Sequence, residues 1–207
     1  MMAAWSWLLA AYGAAFNRVE TRMDDRFQYF GYGSNMLSAR LIARTPSAVA
    51  HRTGYVTGRR LTFNKISDDR SGKCDVELTG NVADHVEGVL FWIDRAHKKA
   101  LDDAEALGHG YDETILEVVT ADGTERAHAY VATTGSTDVA RRPYHWYKAL
   151  VIAGAVQHAL SAAYIDGLRA VPSLRDPMRN RRTKREAEAA LEGTGEVLEW
   201  YRREQGD

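Results

Sequence analysis

Strand-like patterning fills the first two-thirds of the chain and helical patterning the last third. FQYFGYG (27–33) reads as an aromatic-rich strand ended by glycines. Ser34 stands where an N-cap belongs, and NMLSARLIAR follows as a short helix with apolar Met36, Leu37, Leu41 and Ile42, stopped by Pro46. Further strand-like segments come in succession: the neighbourhood of Tyr55–Val56, then RLTFNKI, CDVEL and HVEGVLFWI, with Asp68–Lys73 as a turn-rich connector. Asp94 is placed to cap a helix over RAHKKALDDAEAL, which Gly108 and Gly110 stop. ETILEVVT and ERAHAYVAT flank Ala121–Asp122–Gly123, whose Asp-Gly signals a hairpin. From Pro143 the pattern turns helical, through PYHWYKALVIAGAVQHAL and AAYIDGLRAV to a polar tail helix of low core content beginning at TKREAEAALEG. Strands clustered without regular βα alternation predict an α+β fold rather than a doubly wound sheet.

Composition narrows this only a little. With 207 residues, 45% hydrophobic and 27% charged, the chain suits one soluble globular domain with tails. Lys+Arg and Asp+Glu number 27 and 28, for a net charge of −1, so nothing calls for nucleic acid or an anionic membrane. The basic run RNRRTKR (Arg179–Arg185) could bind phosphates. It lacks interleaved aromatics and reads better as a solvated helix start. Cys74 is the only cysteine, which forbids an internal disulfide and fits a cytoplasmic location. The opening MMAAWSWLLAAYGAAF is apolar, yet too short to span a bilayer and without the basic flank of a signal peptide. It reads as a packing or dimerising helix, or as an extension upstream of a start at Met23, in preference to a membrane-surface segment. The histidines are scattered without metal-ligand spacing. His109 is near Glu105 in sequence but reads as a surface residue.

Three features carry candidate chemistry, each with an alternative in plain packing. The FGYGSN junction of strand and helix combines glycines, which admit close approach to the backbone, with free N–H groups at a helix start, and so suits a carboxylate or an oxyanion. A tight turn with a capping serine explains the same residues. Glu105 follows Leu101 by one helical turn on the face also carrying Ala104 and Gly108. There a carboxylate is partly desolvated, and desolvation moves it toward general-base duty. Neighbouring Asp102 and Asp103 equally suit a solvated acidic face. Tyr144, Trp146 and Tyr147 open an apolar helix interrupted by Lys148, and a phenol there serves either the core or a polar ligand.

Taken in order, FGYGSNM, FNKISDDRSGKCDVEL, GVLFWID…LDDAEALGHGY and YHWYKALVIAGAVQHALSAAYIDGL resemble the γ-glutamylcyclotransferase superfamily with its AIG2-like and butirosin-pathway relatives, from about Phe27 to about Ala170. The resemblance implies a small mixed β-barrel-like sheet surrounded by helices. It places the catalytic domain at 27–180, between an N-terminal extension (1–26, helical or disordered) and a C-terminal helical tail (181–207). It also implies a cofactor-free and metal-free intramolecular aminolysis: the α-amino group of a γ-glutamyl unit attacks its own γ-carbonyl, releasing 5-oxoproline and an amine or amino acid. The family's substrate loop falls on Tyr29, Phe30, Gly31, Tyr32, Gly33 and Ser34, its catalytic glutamate on Glu105, and its substrate-contacting tyrosine on Tyr147. Many members carry Gly directly after that glutamate, whereas this chain has Ala106. The implied partner is a small-molecule γ-glutamyl substrate, with homodimerisation open and no nucleic acid or membrane span. A catalytically idle binding protein on the same scaffold is the alternative.

Overall fold

The structure, a computed structural model, describes residues 25–205. In chain order, strand β1 (Arg26–Gly31) is followed by helix α1 (Ser38–Arg44) and strands β2 (Val49–Thr57), β3 (Arg59–Ile66), β4 (Gly72–Leu78) and β5 (His85–Asp94). Helix α2 (Lys98–Ala104) leads into β6 (Tyr111–Thr120) and β7 (Gly123–Ala132). Helices α3 (His145–Gln157), α4 (Ala162–Ala170), α5 (Arg182–Leu191) and α6 (Glu196–Gln205) complete the described chain. The expected N-terminal extension lies outside the described residues up to position 24, while Arg26 already belongs to β1.

Five strands close into a barrel in the order β1-β5-β2-β6-β7, and β3 and β4 form a separate two-stranded sheet. Barrel neighbours are antiparallel except where β7 meets β1 in parallel at His128 and Tyr29. The fold is therefore the expected α+β arrangement of a mixed barrel with helices around it. Strand β5 is the most apolar because it is covered on both faces; Val86, Val89, Leu90, Phe91 and Ile93 are all buried. Burying each such side chain contributes about 1.5–3 kcal/mol.

Helix α3 is the hub of the helical layer, with every residue from Trp146 to Ala155 buried. Lys148, which interrupts its apolar sequence, donates from Nζ to the carbonyls of Arg169 (2.7 Å) and Val171 (2.6 Å) at the end of α4. A buried ammonium is thus satisfied by carbonyls left open at a helix C-terminus. The tail departs from the expectation of low core content. Helices α5 and α6 bury Ala187, Leu191, Val197 and Tyr201. Both show apolar residues one turn apart, which their many charges mask in a simple reading of polarity.

Two expected caps are absent. Asp94 makes no side-chain capping bond; its carboxylate is taken by Arg26 Nε at 3.0 Å, across β1 and β5. Ser34 caps no α-helix. Residues Ser34–Met36 form a 3₁₀ turn, α1 begins only at Ser38, and the Ser34 hydroxyl accepts from Arg40 Nε at 3.1 Å. Among the described residues no helix is long and apolar enough to cross a membrane.

Candidate active site

The loop after β1 is held by its neighbours more than by its own turn. Its hydrogen bonds run from Met36 N–H to the Gly33 carbonyl (3.0 Å) and from Leu37 N–H to the Ser34 carbonyl (3.4 Å). The N–H groups of Gly33, Ser34 and Asn35 take no part in them. A helix dipole is not available here, because the turn is a single 3₁₀ turn; what the loop offers a negative charge is backbone N–H groups at short range. Strand β4 closes in from the side: a side chain added at Gly33 would stand 3.1 Å from Cys74 Cβ and 3.5 Å from the Tyr147 hydroxyl.

Glu105 sits at the C-cap of α2 rather than inside a longer helix. Leu107 N–H bonds the Asp102 carbonyl (3.0 Å) and Ala106 N–H bonds that of Asp103 (3.2 Å), while Ala106 takes a left-handed conformation with φ 52°. These are the two bonds of a Schellman ending, and they stop the helix two residues before Gly108. The same φ explains why Gly suits the position after the glutamate, since an L side chain there costs about 1–2 kcal/mol.

The Glu105 side chain is 17% exposed, and its Oε1 accepts from Arg44 Nη1 at 2.8 Å and from Asn35 Nδ2 at 2.7 Å. Arg44 Nη1 also donates to Asn35 Oδ1 at 2.9 Å, so the three side chains form a closed triangle. Both contacts fall on Oε1, which fixes the carboxylate and leaves Oε2 for other work.

Two spaces share this carboxylate in their walls. An inner recess of about 20 Å³, room for one water, is walled by Tyr29, Tyr32, Gly33, Asn35, Cys74 and Tyr130. An outer cleft of about 390 Å³ opens beyond it, bordered by Arg40, Arg44, Lys65, Asp68, Lys73 and His109. Ser34, Glu105, Tyr111 and Tyr147 line both. Of the residues anticipated from sequence, Tyr29, Tyr32, Gly33, Ser34, Glu105 and Tyr147 thus converge. Phe30 and Gly31 border neither space. Phe30 is fully buried on the opposite face of β1, and Gly31 is paired with Val89 of β5. His109, read as a surface residue, is exposed on the rim of the outer cleft.

The tyrosine hydroxyls are occupied. Tyr29 Oη accepts from Asn35 Nδ2 (3.1 Å), Tyr32 donates to the Tyr130 carbonyl, and Tyr111 donates to the Cys74 carbonyl (2.5 Å). Tyr147 Oη accepts from Cys74 N–H at 3.1 Å. Tyr111 of β6 and Tyr147 of α3 therefore hold β4 by the two backbone groups of Cys74. Burial pushes the Tyr29 and Tyr147 hydroxyls well above the ordinary phenol range, and pushes the Cys74 thiol up to about 12. Cys74 is thus a neutral thiol, unsuited to nucleophilic attack. The cations carry the opposite strain: burial, with Arg44 adding to it, lowers Arg40, and burial lowers Lys65 and Lys73. Among the described residues no group of three or more His, Cys, Asp or Glu side chains is placed to hold a metal ion.

Sequence reasoning missed Asn35, Arg40, Arg44, Lys65 and Tyr111. One signal was available for the arginines: Arg40 and Arg44 are one turn apart on an otherwise apolar short helix, so they share a face. Nothing local marks that face as turned toward Glu105, which is 61 residues from Arg44.

A closed mixed barrel with a clamped carboxylate beside a glycine loop places the chain among small α+β folds, and comparison with known proteins shows which of these it resembles. The AIG2-like family pattern matches residues 85–168. The γ-glutamylcyclotransferase of Homo sapiens is 27% identical over 157 residues, covering 72% of this chain and 80% of that protein. That of Bos taurus is 29% identical over 161 residues, covering 73% and 82%. A solved γ-glutamyl cyclotransferase superposes with a TM-score of 0.70 at 24% identity, over 78% of this chain and 96% of the other. The chain is thus similar in sequence to γ-glutamylcyclotransferases and AIG2-like proteins, and shares the fold of a solved member.

Proposed function

We propose that the protein is a γ-glutamylcyclotransferase that cyclises a γ-glutamyl amino acid or amine to 5-oxoproline and releases the free amino acid or amine. The observation that carries this reading is the Glu105 carboxylate, fixed at Oε1 by Arg44 and Asn35 where the recess meets the cleft. The similarity to named cyclotransferases supports the reaction class.

The reacting groups belong to one molecule, so the enzyme has to hold a curled conformer and move protons. Glu105 takes a proton from the substrate's α-ammonium group. The freed amine attacks the γ-carbonyl carbon, and the carbonyl oxygen becomes an oxyanion. Backbone N–H groups of Gly33 and Ser34 face that charge; a donor of this kind is worth about 2.7–4 kcal/mol in a transition state. Glu105 returns that proton to the leaving nitrogen as the C–N bond to it breaks and the lactam carbonyl re-forms. The carboxylate then takes the second proton from the ring nitrogen, and this proton passes to the released amine or to solvent. A γ-glutamyl unit is larger than the inner recess, so it occupies the outer cleft, and only one small group of it fits the recess. Tyr147, Tyr29 and Tyr32 shape the wall against which it curls, with Phe30 and Gly31 supporting the loop from behind. The catalytic domain extends from β1 to about residue 180, and α5 and α6 serve it as a packed cover for α3. A cytoplasmic location fits a lone buried thiol.

The test is the purified chain against a panel of γ-glutamyl dipeptides and γ-glutamyl amines, with 5-oxoproline as readout. Glu105→Gln keeps the side chain's shape and removes the base, and is expected to lower kcat by about 10²–10⁴-fold. Wild-type turnover in that variant would overturn the role given to Glu105.

A further inference from the structure

The outer cleft carries more positive charge than its own acids use. Arg44 is engaged by Glu105. Lys73 is engaged by Asp69 at 2.8 Å, with its ammonium 4.7 Å from the ring centres of both Trp146 and Tyr147. Arg40 spends its Nε on the Ser34 hydroxyl. Lys65 is different. Its residue is only 8% exposed, its Nζ lies 4.8 Å over the Tyr111 ring, and among the described residues it has no hydrogen-bond acceptor and no carboxylate within 4.0 Å. Asp68, Glu105 and Asp69 act on it only from farther away.

The backbone holds this ammonium in place. Lys65 lies where the β3–β4 register shifts between Thr62 and Lys65, and it is bridged on its other side to Thr137. Gly110 is the near wall, since a side chain there would come 2.9 Å from Nζ. The stem is buried while the ammonium reaches the outer cleft, so among the described residues it is left for a group that enters the cleft to pair with. Lys65 borders the outer cleft and not the inner recess, whereas Glu105 lines both. With the γ-glutamyl unit at the loop, the group on Lys65's side is the one that leaves.

We propose that Lys65 is a specificity-determining residue, which favours an amino acid over an amine as leaving group by binding its free carboxylate. This rests on the cyclotransferase reading above. Arg40, across the cleft, adds long-range attraction for the same anion, and Tyr111 carries the lysine at its ring face.

The experiment compares γ-glutamyl-alanine with γ-glutamyl-alaninamide, which differ in that carboxylate alone. In the wild-type protein kcat/KM for the acid is expected to exceed that for the amide at least tenfold. In Lys65→Met this ratio falls toward one, with the change in KM rather than kcat, and Lys65→Arg restores most of it. A wild-type ratio near one, or a ratio that survives in Lys65→Met, overturns the proposal. Equal loss on both substrates has the same force, because the lysine would then serve the fold or the glutamyl end. If neither compound yields 5-oxoproline, the reaction assignment fails by itself. The lysine is then judged by calorimetric titration of the two compounds into Glu105→Gln with and without Lys65→Met. Tighter binding of the acid that vanishes with Lys65→Met upholds the proposal, and equal binding of the two compounds overturns it.

Discussion

Arg44 and Glu105 are 61 residues apart in sequence, yet Arg44 Nη1 lies 2.8 Å from Glu105 Oε1 and 2.9 Å from Asn35 Oδ1. The arginine ends α1, the glutamate ends α2, and the asparagine belongs to the loop between β1 and α1. Three segment ends are thus pinned to one carboxylate. Its orientation depends on Arg44, because an unpinned carboxylate on a helix end samples several rotamers.

For that reason Arg44→Met is expected to lower kcat by about one to two orders of magnitude, through misplacement of the base, with a smaller change in KM. Steady-state kinetics alongside circular dichroism checks this. An unchanged kcat in a folded variant would show that Arg44 does not orient Glu105.

Ala106→Gly should stabilise the protein. Ala106 sits at φ 52° in the helix ending that presents Glu105, and glycine takes that conformation without the Cβ clash. The gain, after glycine's greater freedom in the unfolded chain, is expected to be about 1 kcal/mol in urea unfolding. No gain, or a loss, would mean the alanine makes contacts worth more than the strain.

Gly154→Ala tests how α3 supports the site. A Cβ at Gly154 would meet Leu37 N at 2.5 Å, Met36 Cβ at 2.5 Å and Met36 C at 2.7 Å, and backbone cannot move aside cheaply. Overpacking of this kind costs about 1–3 kcal/mol. Because the displaced atoms directly follow Ser34 and Asn35, a loss of kcat should accompany the lower melting temperature. A variant that loses stability and keeps full kcat would separate the loop from α3.

Asp176 gives a pH-dependent stability. Its carboxylate is fully buried and accepts from Arg181 Nε (2.7 Å), Trp146 Nε1 (3.0 Å) and Met178 N–H (2.9 Å). Burial by itself would raise it, but these donors outweigh burial and hold it below its ordinary 3.8. A depressed carboxyl contributes stability that is present above 3.8 and lost as pH falls through its lower folded value. Asp176→Asn is therefore expected to cost roughly 3 kcal/mol at pH 7, the usual penalty for breaking a buried pair. The gap from wild type should shrink only below about pH 4 in denaturant titrations. A gap that is constant down to pH 2 would assign the effect to packing.

Most barrel strands were readable as short apolar runs between turn residues, whereas β2 (Val49–Thr57), with its polar centre, was legible only around Tyr55–Val56. HVEGVLFWI and the Asp-Gly hairpin between β6 and β7 match their structural bounds closely. Local patterns failed where a side chain had two suitors. Ser34 and Asp94 look like caps, and each is taken by an arginine, one six residues along and the other 68 residues away. Likewise α5 and α6 look like a solvated tail until α3 offers them a surface to bury against.

By itself the sequence determined the glycine loop, the acidic residue one turn after Leu101, and the aromatic entry to α3, since turn chemistry and helical spacing are local properties. Their order along the chain also carried the resemblance to γ-glutamylcyclotransferases. Only tertiary structure decided which oxygen of Glu105 is held, which cations are already paired, and that Lys65 is left without an acceptor among the described residues. Those facts depend on groups tens of residues apart meeting within hydrogen-bond distance, and a linear pattern of residue types carries no such distances.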